Sequence, residues 1–312
     1  MIITANRASA ILYTFLRNKS FERPFLLPAN VCPVVPLTFL KAKTDFEFID
    51  IDETHAMSKR QAKEKIISGG YSGIVFVHAY GKLFNNTSFY QELKEISPEI
   101  CIIDDRCLCQ PDLTGVQPLY TDLVLYSTGY AKYVELLFGG YGISKSNNIN
   151  FYDNAFSKDA ETIQQERLRK CLRDEEVYDL PSDYPWMDCS ALPMPQKQYF
   201  ELISSKINAI REKKEYINKI YRTHLPKEIQ WGPEYEGWRF NISIEKRDKI
   251  LDAIFQNDLF AGANYPSTSY MFKKQHAPYA EEEAQHVLNL FNNHKASEEF
   301  ALKICDIINY HL

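Results

Sequence analysis

The sequence predicts an α/β protein with a mostly parallel central sheet flanked by helices and a smaller α+β unit toward the C-terminal end. Three observations carry this. Short apolar runs end abruptly in polar residues, as in Ser72-Gly-Ile-Val-Phe-Val-His78, Cys101-Ile-Ile-Asp-Asp105 and Asp122-Leu-Val-Leu-Tyr-Ser127, the pattern of strands buried on both faces. Segments of helical period stand between such runs, for example Phe89 to Ile96, which is the alternation an α/β fold needs. After residue 237 the pattern changes to one short strand, Trp238 to Ile244, with helices over about 247–255 and 300–310.

In chain order, Ala8 to Leu16 reads as a helix with a polar start at Asn6 and Arg7, and its first amides would favour an anion. The run is too short to span a bilayer, which takes roughly 20 apolar residues, and Arg17 and Lys19 follow it in place of a cleavage site. Phe25 to Val35 and Phe46 to Asp52 read as strands joined by a helix-like segment, a βαβ unit. The strand ending at His78 and the one ending at Asp105 follow. Residues 147–195 are polar and proline-marked, with a solvated helix over 164–176. Tyr199 to Tyr221 has one apolar face, as a helix linking two domains would.

Composition sets limits. The chain has 312 residues, 45% of them hydrophobic, enough for one large or two medium cores. A net charge of −5 argues against nucleic acid, and no stretch argues for a membrane span. Seven cysteines, scattered and odd in number, fit neither a disulfide framework nor a metal site, and point to reduced thiols in the cytoplasm.

The chemistry concentrates in two stretches. An acid at a strand's carboxyl end stands where ligands bind in open α/β sheets, and Asp105 is such an acid. Lys132 follows a strand and a Ser-Thr-Gly turn, and precedes the pair Gly139-Gly140, where backbone can approach closely. One aspartate and one lysine on neighbouring strand ends are the minimum for holding pyridoxal phosphate: the amine takes the aldehyde and the carboxylate keeps the pyridine nitrogen protonated.

Asp104-Asp105, Asp122, Ser127, Lys132 and Gly139-Gly140, in this order and spacing, resemble the DegT/StrS family of pyridoxal-phosphate-dependent sugar aminotransferases, of fold type I in the aspartate aminotransferase superfamily. The resemblance implies a large cofactor domain over 1–205, a small domain over 206–312 and a homodimer. It makes Lys132 and Asp105 catalytic. Arg7, Ala8 and Ser127 would hold the cofactor phosphate, and Cys32 would occupy the place of the ring-stacking aromatic residue. His78 and Arg239 would face substrate, with Lys273 and Lys274 as further cations for a diphosphate. The implied reaction moves an amino group from a donor such as glutamate to a nucleotide-linked keto-sugar, in surface polysaccharide or amino-sugar biosynthesis. Leu108 departs from the family's Gln or His, with Gln110 two residues on, and Tyr184-Pro-Trp-Met-Asp188 is the nearest remnant of a segment that reaches the neighbouring subunit's phosphate. Those departures suggest a non-catalytic scaffold as the alternative; the retained Asp105 and Lys132 speak against it. Lysine at 132 also separates the chain from the family's dehydratases, which carry histidine there.

Overall fold

The computed structural model describes residues 1–146, 151–152 and 154–312, so the first part of the 147–195 segment lies partly outside the described residues. Seven strands form the central sheet: β1 (Ile2–Ala5), β2 (Phe25–Pro28), β3 (Phe46–Ile49), β4 (Gly73–Val77), β5 (Cys101–Asp105), β6 (Leu123–Ser127) and β7 (Gly140–Ser144). Their spatial order is β1-β7-β6-β5-β4-β2-β3. The pairs β3/β2, β2/β4, β4/β5 and β5/β6 are parallel, and β7 runs antiparallel to both β6 and β1. Reversal at β7 leaves β1 running the same way as β6. The carboxyl ends of β1, β2, β4, β5 and β6 therefore share one edge of the sheet, where an open α/β fold builds its site.

Helices cover both faces. Along β5, Cys101 and Ile103 pack in one core with α1 (Ala8–Asn18) and α2 (Val34–Ala42). Ile102 packs in the other core, with α3 (Lys59–Ser68) and α4 (Thr87–Ile96). The alternation is the two-residue period of a strand buried on both sides. On the first face the chain adds α5 (Lys158–Asp174), whose Leu168 and Cys171 join the α1 and α2 core; Ser157 caps it by accepting the Ala160 amide at 3.3 Å.

The 29-residue helix α6 (Gln196–His224) belongs to two cores. Its Tyr199 and Ile203 pack on β6 and β7, whereas Ile217 and Tyr221 pack on the C-terminal unit. A division between residues 205 and 206 would fall inside this helix. The C-terminal unit pairs β8 (Phe240–Ser243) with β9 (Val287–Leu290) antiparallel and carries α7 (Arg247–Gln256) and α10 (Glu298–His311), while α8 (Ser269–Lys273) and α9 (Pro278–His286) pack back on the central-sheet side, through Met271 and Ala280. Among the described residues, no helix is long and apolar enough to cross a membrane.

Candidate active site

The strand register assembles the site. Gly140 pairs with Ala5 on one side and with Ser127 on the other, so the ends of β1 and β6 lie in one row across the start of β7. The α1 helix begins three residues after Ala5, at Ala8. A Cβ on Gly140 would come within 2.6 Å of the Ala8 nitrogen and 2.7 Å of its Cα, so only glycine lets β7 pass this close to the helix start. Asn6 does not cap α1 as a polar start would suggest: Arg7 is the N-cap, no side chain caps the helix, and the Asn6 amide instead donates to Asp188 Oδ2 at 2.6 Å.

A cavity of about 350 Å³ opens at this edge. Arg7, Ala8, Cys32, Asp105, Ser127 and Lys132, all singled out in the sequence, line it together. Gly129 sits between two of them: a methyl group on it would lie 3.5 Å from Ser127 Oγ and 4.0 Å from the Arg7 guanidinium. The Arg7 guanidinium is braced by donating to the Leu137 carbonyl at 3.0 Å. A helix start without a side-chain cap, a guanidinium, a hydroxyl and a glycine turn make an anion cradle.

Asp104 and Asp105 part company at the end of β5. Asp105 lies on the cavity side and accepts the Cys107 amide at 2.9 Å. Asp104 is fully buried on the opposite side, where it accepts from His78 Nε2 at 2.7 Å, Tyr90 at 2.6 Å and Arg106 Nε at 2.8 Å. Burial alone would push the Asp104 carboxyl up; His78 and Arg106 outweigh it and hold the group below the usual carboxylate range.

Lys132 is half-buried, lines the cavity with Asp105 and Cys107, and its amine makes no ion pair or hydrogen bond among the described residues. Its loop is fixed from several sides. Leu136 donates to the Thr128 carbonyl at 2.8 Å, and Thr128 Oγ1 donates to the Phe138 carbonyl at 2.7 Å. Ala131, one residue before the lysine, has φ of 57°, a conformation that costs a non-glycine residue energy. Trp238 of the C-terminal unit holds that turn, its indole Nε1 donating to the Ala131 carbonyl at 2.6 Å. Trp238 in turn stacks on Tyr265, with ring centroids 5.6 Å apart and an 18° tilt. Tyr265 borders Asp105, Cys32 and Lys132. Burial pushes the Tyr265 phenol up, with Cys32 and Asp105 adding to the shift. Burial also raises the Cys107 thiol, with Asp105 adding and Lys132 opposing.

Two of the residues expected to face substrate lie elsewhere. His78 is buried and does not line the cavity: Nε2 goes to Asp104 and Nδ1 accepts the Phe84 amide at 2.9 Å, so both ring nitrogens are engaged inside the fold. Its strand end is right, but the chain turns there and the side chain goes to the far face. Arg239 also lies outside the cavity lining. It is 4% exposed, packs 3.7 Å over the Phe291 ring, and its guanidinium has no hydrogen bond or ion pair among the described residues. Burial lowers its pKa to about 10, against the pull of Glu135. Lys273 pairs with Asp45 at 2.6 Å, and neither it nor Lys274 reaches the cavity lining. Gln110 is exposed and accepts from Tyr133 at 3.1 Å.

Pattern along the chain does not reveal the part of the outer wall that α5 supplies, although the Tyr184 to Asp188 segment was singled out. Glu161, Gln164, Gln165 and Leu168 of α5 line the cavity, together with Trp186 and Asp188. Their helical spacing is visible in the sequence, but a mostly charged helix reads as solvated until its neighbours are known. Trp238 and Tyr265 carry no local signal either, because nothing nearby in the chain links them to Lys132.

No family model and no curated protein sequence matches the chain. Solved structures do match its fold. A DegT DnrJ EryC1 StrS aminotransferase from Brucella abortus is similar with a TM-score of 0.72 at 16% identity, over 99% of this chain and 85% of that one. Helicobacter pylori PseC, an aminotransferase involved in the biosynthesis of pseudoaminic acid, gives 0.70 at 14% identity over 99% and 86%. A Streptococcus pneumoniae protein solved in its PLP-form gives 0.72 at 14% identity over 100% and 88%. The chain has the fold of these proteins, fold type I, with its mostly parallel seven-stranded sheet.

Proposed function

We propose that the protein is a pyridoxal-phosphate-dependent aminotransferase that transfers an amino group from an amino acid such as glutamate to a nucleotide-linked keto-sugar, working as a homodimer in amino-sugar or surface polysaccharide biosynthesis. The observation that carries this reading is the convergence of Lys132, Asp105, Ser127, Cys32 and the Arg7-Ala8 helix start on one cavity. The fold shared with sugar aminotransferases supports it.

The residues present fit the cofactor. The uncapped start of α1, the Arg7 guanidinium and the Ser127 hydroxyl suit a phosphate dianion, and Asp105 suits a protonated ring nitrogen. Pyridoxal phosphate, when bound, supplies an aldehyde that exchanges amines and a ring that accepts electrons. With the cofactor bound, Lys132 Nζ would be the amine that holds that aldehyde, and as a free amine it would serve as general base and acid. Asp105 would keep the ring nitrogen protonated, while Arg7, braced by the Leu137 carbonyl, would fix position without entering the chemistry. Cys32 lines the same cavity and would contribute a thiol to the surroundings of the ring. Arg239, buried without a carboxylate partner but outside the cavity lining, remains the candidate for an anion clamp on substrate.

The test is a panel of keto-sugar nucleotides, free keto-sugars and keto acids, with glutamate as donor and pyridoxal phosphate added. At least one aminated sugar nucleotide is the expected product. Turnover of keto acids alone would remove the sugar from the reading. A protein that stays colourless with added cofactor would favour a non-catalytic scaffold.

A further inference from the structure

One buried amine has no part in the reading above. Lys214, on α6, is 4% exposed and does not line the cavity. Its Nζ makes no ion pair among the described residues and donates to two neutral acceptors, the Trp238 carbonyl at 2.8 Å and Asn292 Oδ1 at 2.7 Å. Burial pushes this amine well below the ordinary lysine range, with Arg239 adding to the shift and Glu135 opposing it. An amine buried without a counter-charge is a poor way to fill a core. What it offers that an apolar side chain does not is directed bonds.

Those bonds converge on the two neighbours of Lys132. Trp238, whose carbonyl Lys214 holds, donates through its indole to the Ala131 carbonyl at 2.6 Å. On the other side of Lys132, the Tyr133 ring has the Lys214 amine 5.2 Å from its centroid. Ala131 needs such a tie, because its φ of 57° is a conformation that a non-glycine residue keeps only when its surroundings hold it. The amine is itself fixed. Asn292 Nδ2 donates to Asn218 Oδ1 at 2.9 Å and to the Glu236 carbonyl at 2.9 Å, which leaves Asn292 Oδ1 to face Lys214. Asn218 stands one helical turn after Lys214, so the network closes between α6, the segment before β8 and the segment after β9.

We propose that Lys214 is a positioning residue for Lys132: from α6 it locks the turn that carries the catalytic amine, through Trp238 on one side and the Tyr133 ring on the other. The proposal rests on the aminotransferase reading for the use to which Lys132 is put.

Hydrogen exchange on the cofactor-free protein and visible circular dichroism on the loaded protein test it. Lys214→Met keeps the aliphatic stem and deletes the donors. Amide exchange over residues 130–136 should quicken about tenfold, the equivalent of one lost hydrogen bond. The dichroism per bound cofactor, which reads how rigidly the cofactor is oriented, should fall to about half, and kcat should fall about tenfold with the KM for glutamate within about threefold. Ile217→Ala controls for lost stability, since Ile217 is buried on the same helix and has none of these contacts; its exchange over 130–136 and its dichroism should match the wild type. Tyr133→Leu removes the ring face and leaves both bonds of Lys214 in place, so it carries the test if Lys214→Met does not fold; it should quicken the same segment about threefold. Exchange over 130–136 at the wild-type rate in the variant that folds, or equal quickening by Ile217→Ala, would overturn the proposal and leave Lys214 a packing residue. A wild type that shows no visible band with added pyridoxal phosphate would remove the aminotransferase reading, while the exchange rates would still decide whether Lys214 holds the turn.

Discussion

Asp104 and Asp105 are neighbours in sequence and stand on opposite faces of one strand: Asp105 on the cavity, Asp104 in a buried cluster with His78, Tyr90 and Arg106. The two-residue period of β5 makes one acid available for chemistry and the other structural.

That division predicts opposite phenotypes. Asp105→Asn should leave the melting temperature near that of the wild type and lower kcat about 10²- to 10³-fold, the usual loss for one preorganised electrostatic group. Asp104→Asn should cost about 3 kcal/mol or more in stability, since Arg106 is left without its carboxylate, while retaining turnover in the fraction that folds. Urea unfolding and steady-state kinetics on both variants decide it; the reverse pattern would exchange the roles.

Lys132→Ala removes an amine that makes no ion pair, so the melting temperature should stay within about 2 °C of the wild type. The cofactor's visible absorbance band and turnover should both vanish. Retained transaminase activity would show that another amine is the attachment point.

Trp238→Phe keeps a ring against Tyr265 and deletes the donor to the Ala131 carbonyl. Loss of that bond should cost about 1 kcal/mol of stability. If the bond positions Lys132, kcat should also fall with the donor's KM little changed, and the pH at which the cofactor's absorbance changes should move. A stability loss alone would mean that the bond only packs the two units together.

Glu236 gives a pH signature away from the site. Burial raises its pKa from 4.5 to about 7, against the attraction of Arg222 3.6 Å away. A raised carboxyl contributes stability that is full below about 4.5 and is lost as pH rises to about 7. The stability of Glu236→Gln relative to the wild type should rise across that window by about 3 kcal/mol, since each pKa unit is worth about 1.4 kcal/mol. Unfolding free energies measured from pH 4 to 8 check this; parallel curves for the two proteins would contradict it.

The sequence determined the parts that local physics specifies. Apolar runs bounded by polar residues are strands whatever surrounds them, so β4, β5 and β6 were legible, as were the helices α1, α4, α6, α7 and α10 from their apolar faces. Lys132 and Asp105 could be named because a strand end followed by a turn presents side chains at a sheet edge. β1 and β9 went unread where the equally short β2, β3 and β8 did not; they are strands because a partner pairs with them, β1 with β7 and β9 with β8. Only the tertiary structure sent His78 to the far face, buried Arg239 against Phe291, brought α5 across the mouth of the cavity and tied Trp238 to Ala131. These depend on contacts between residues far apart in the chain, and pattern along the sequence carries no information on which distant surfaces meet.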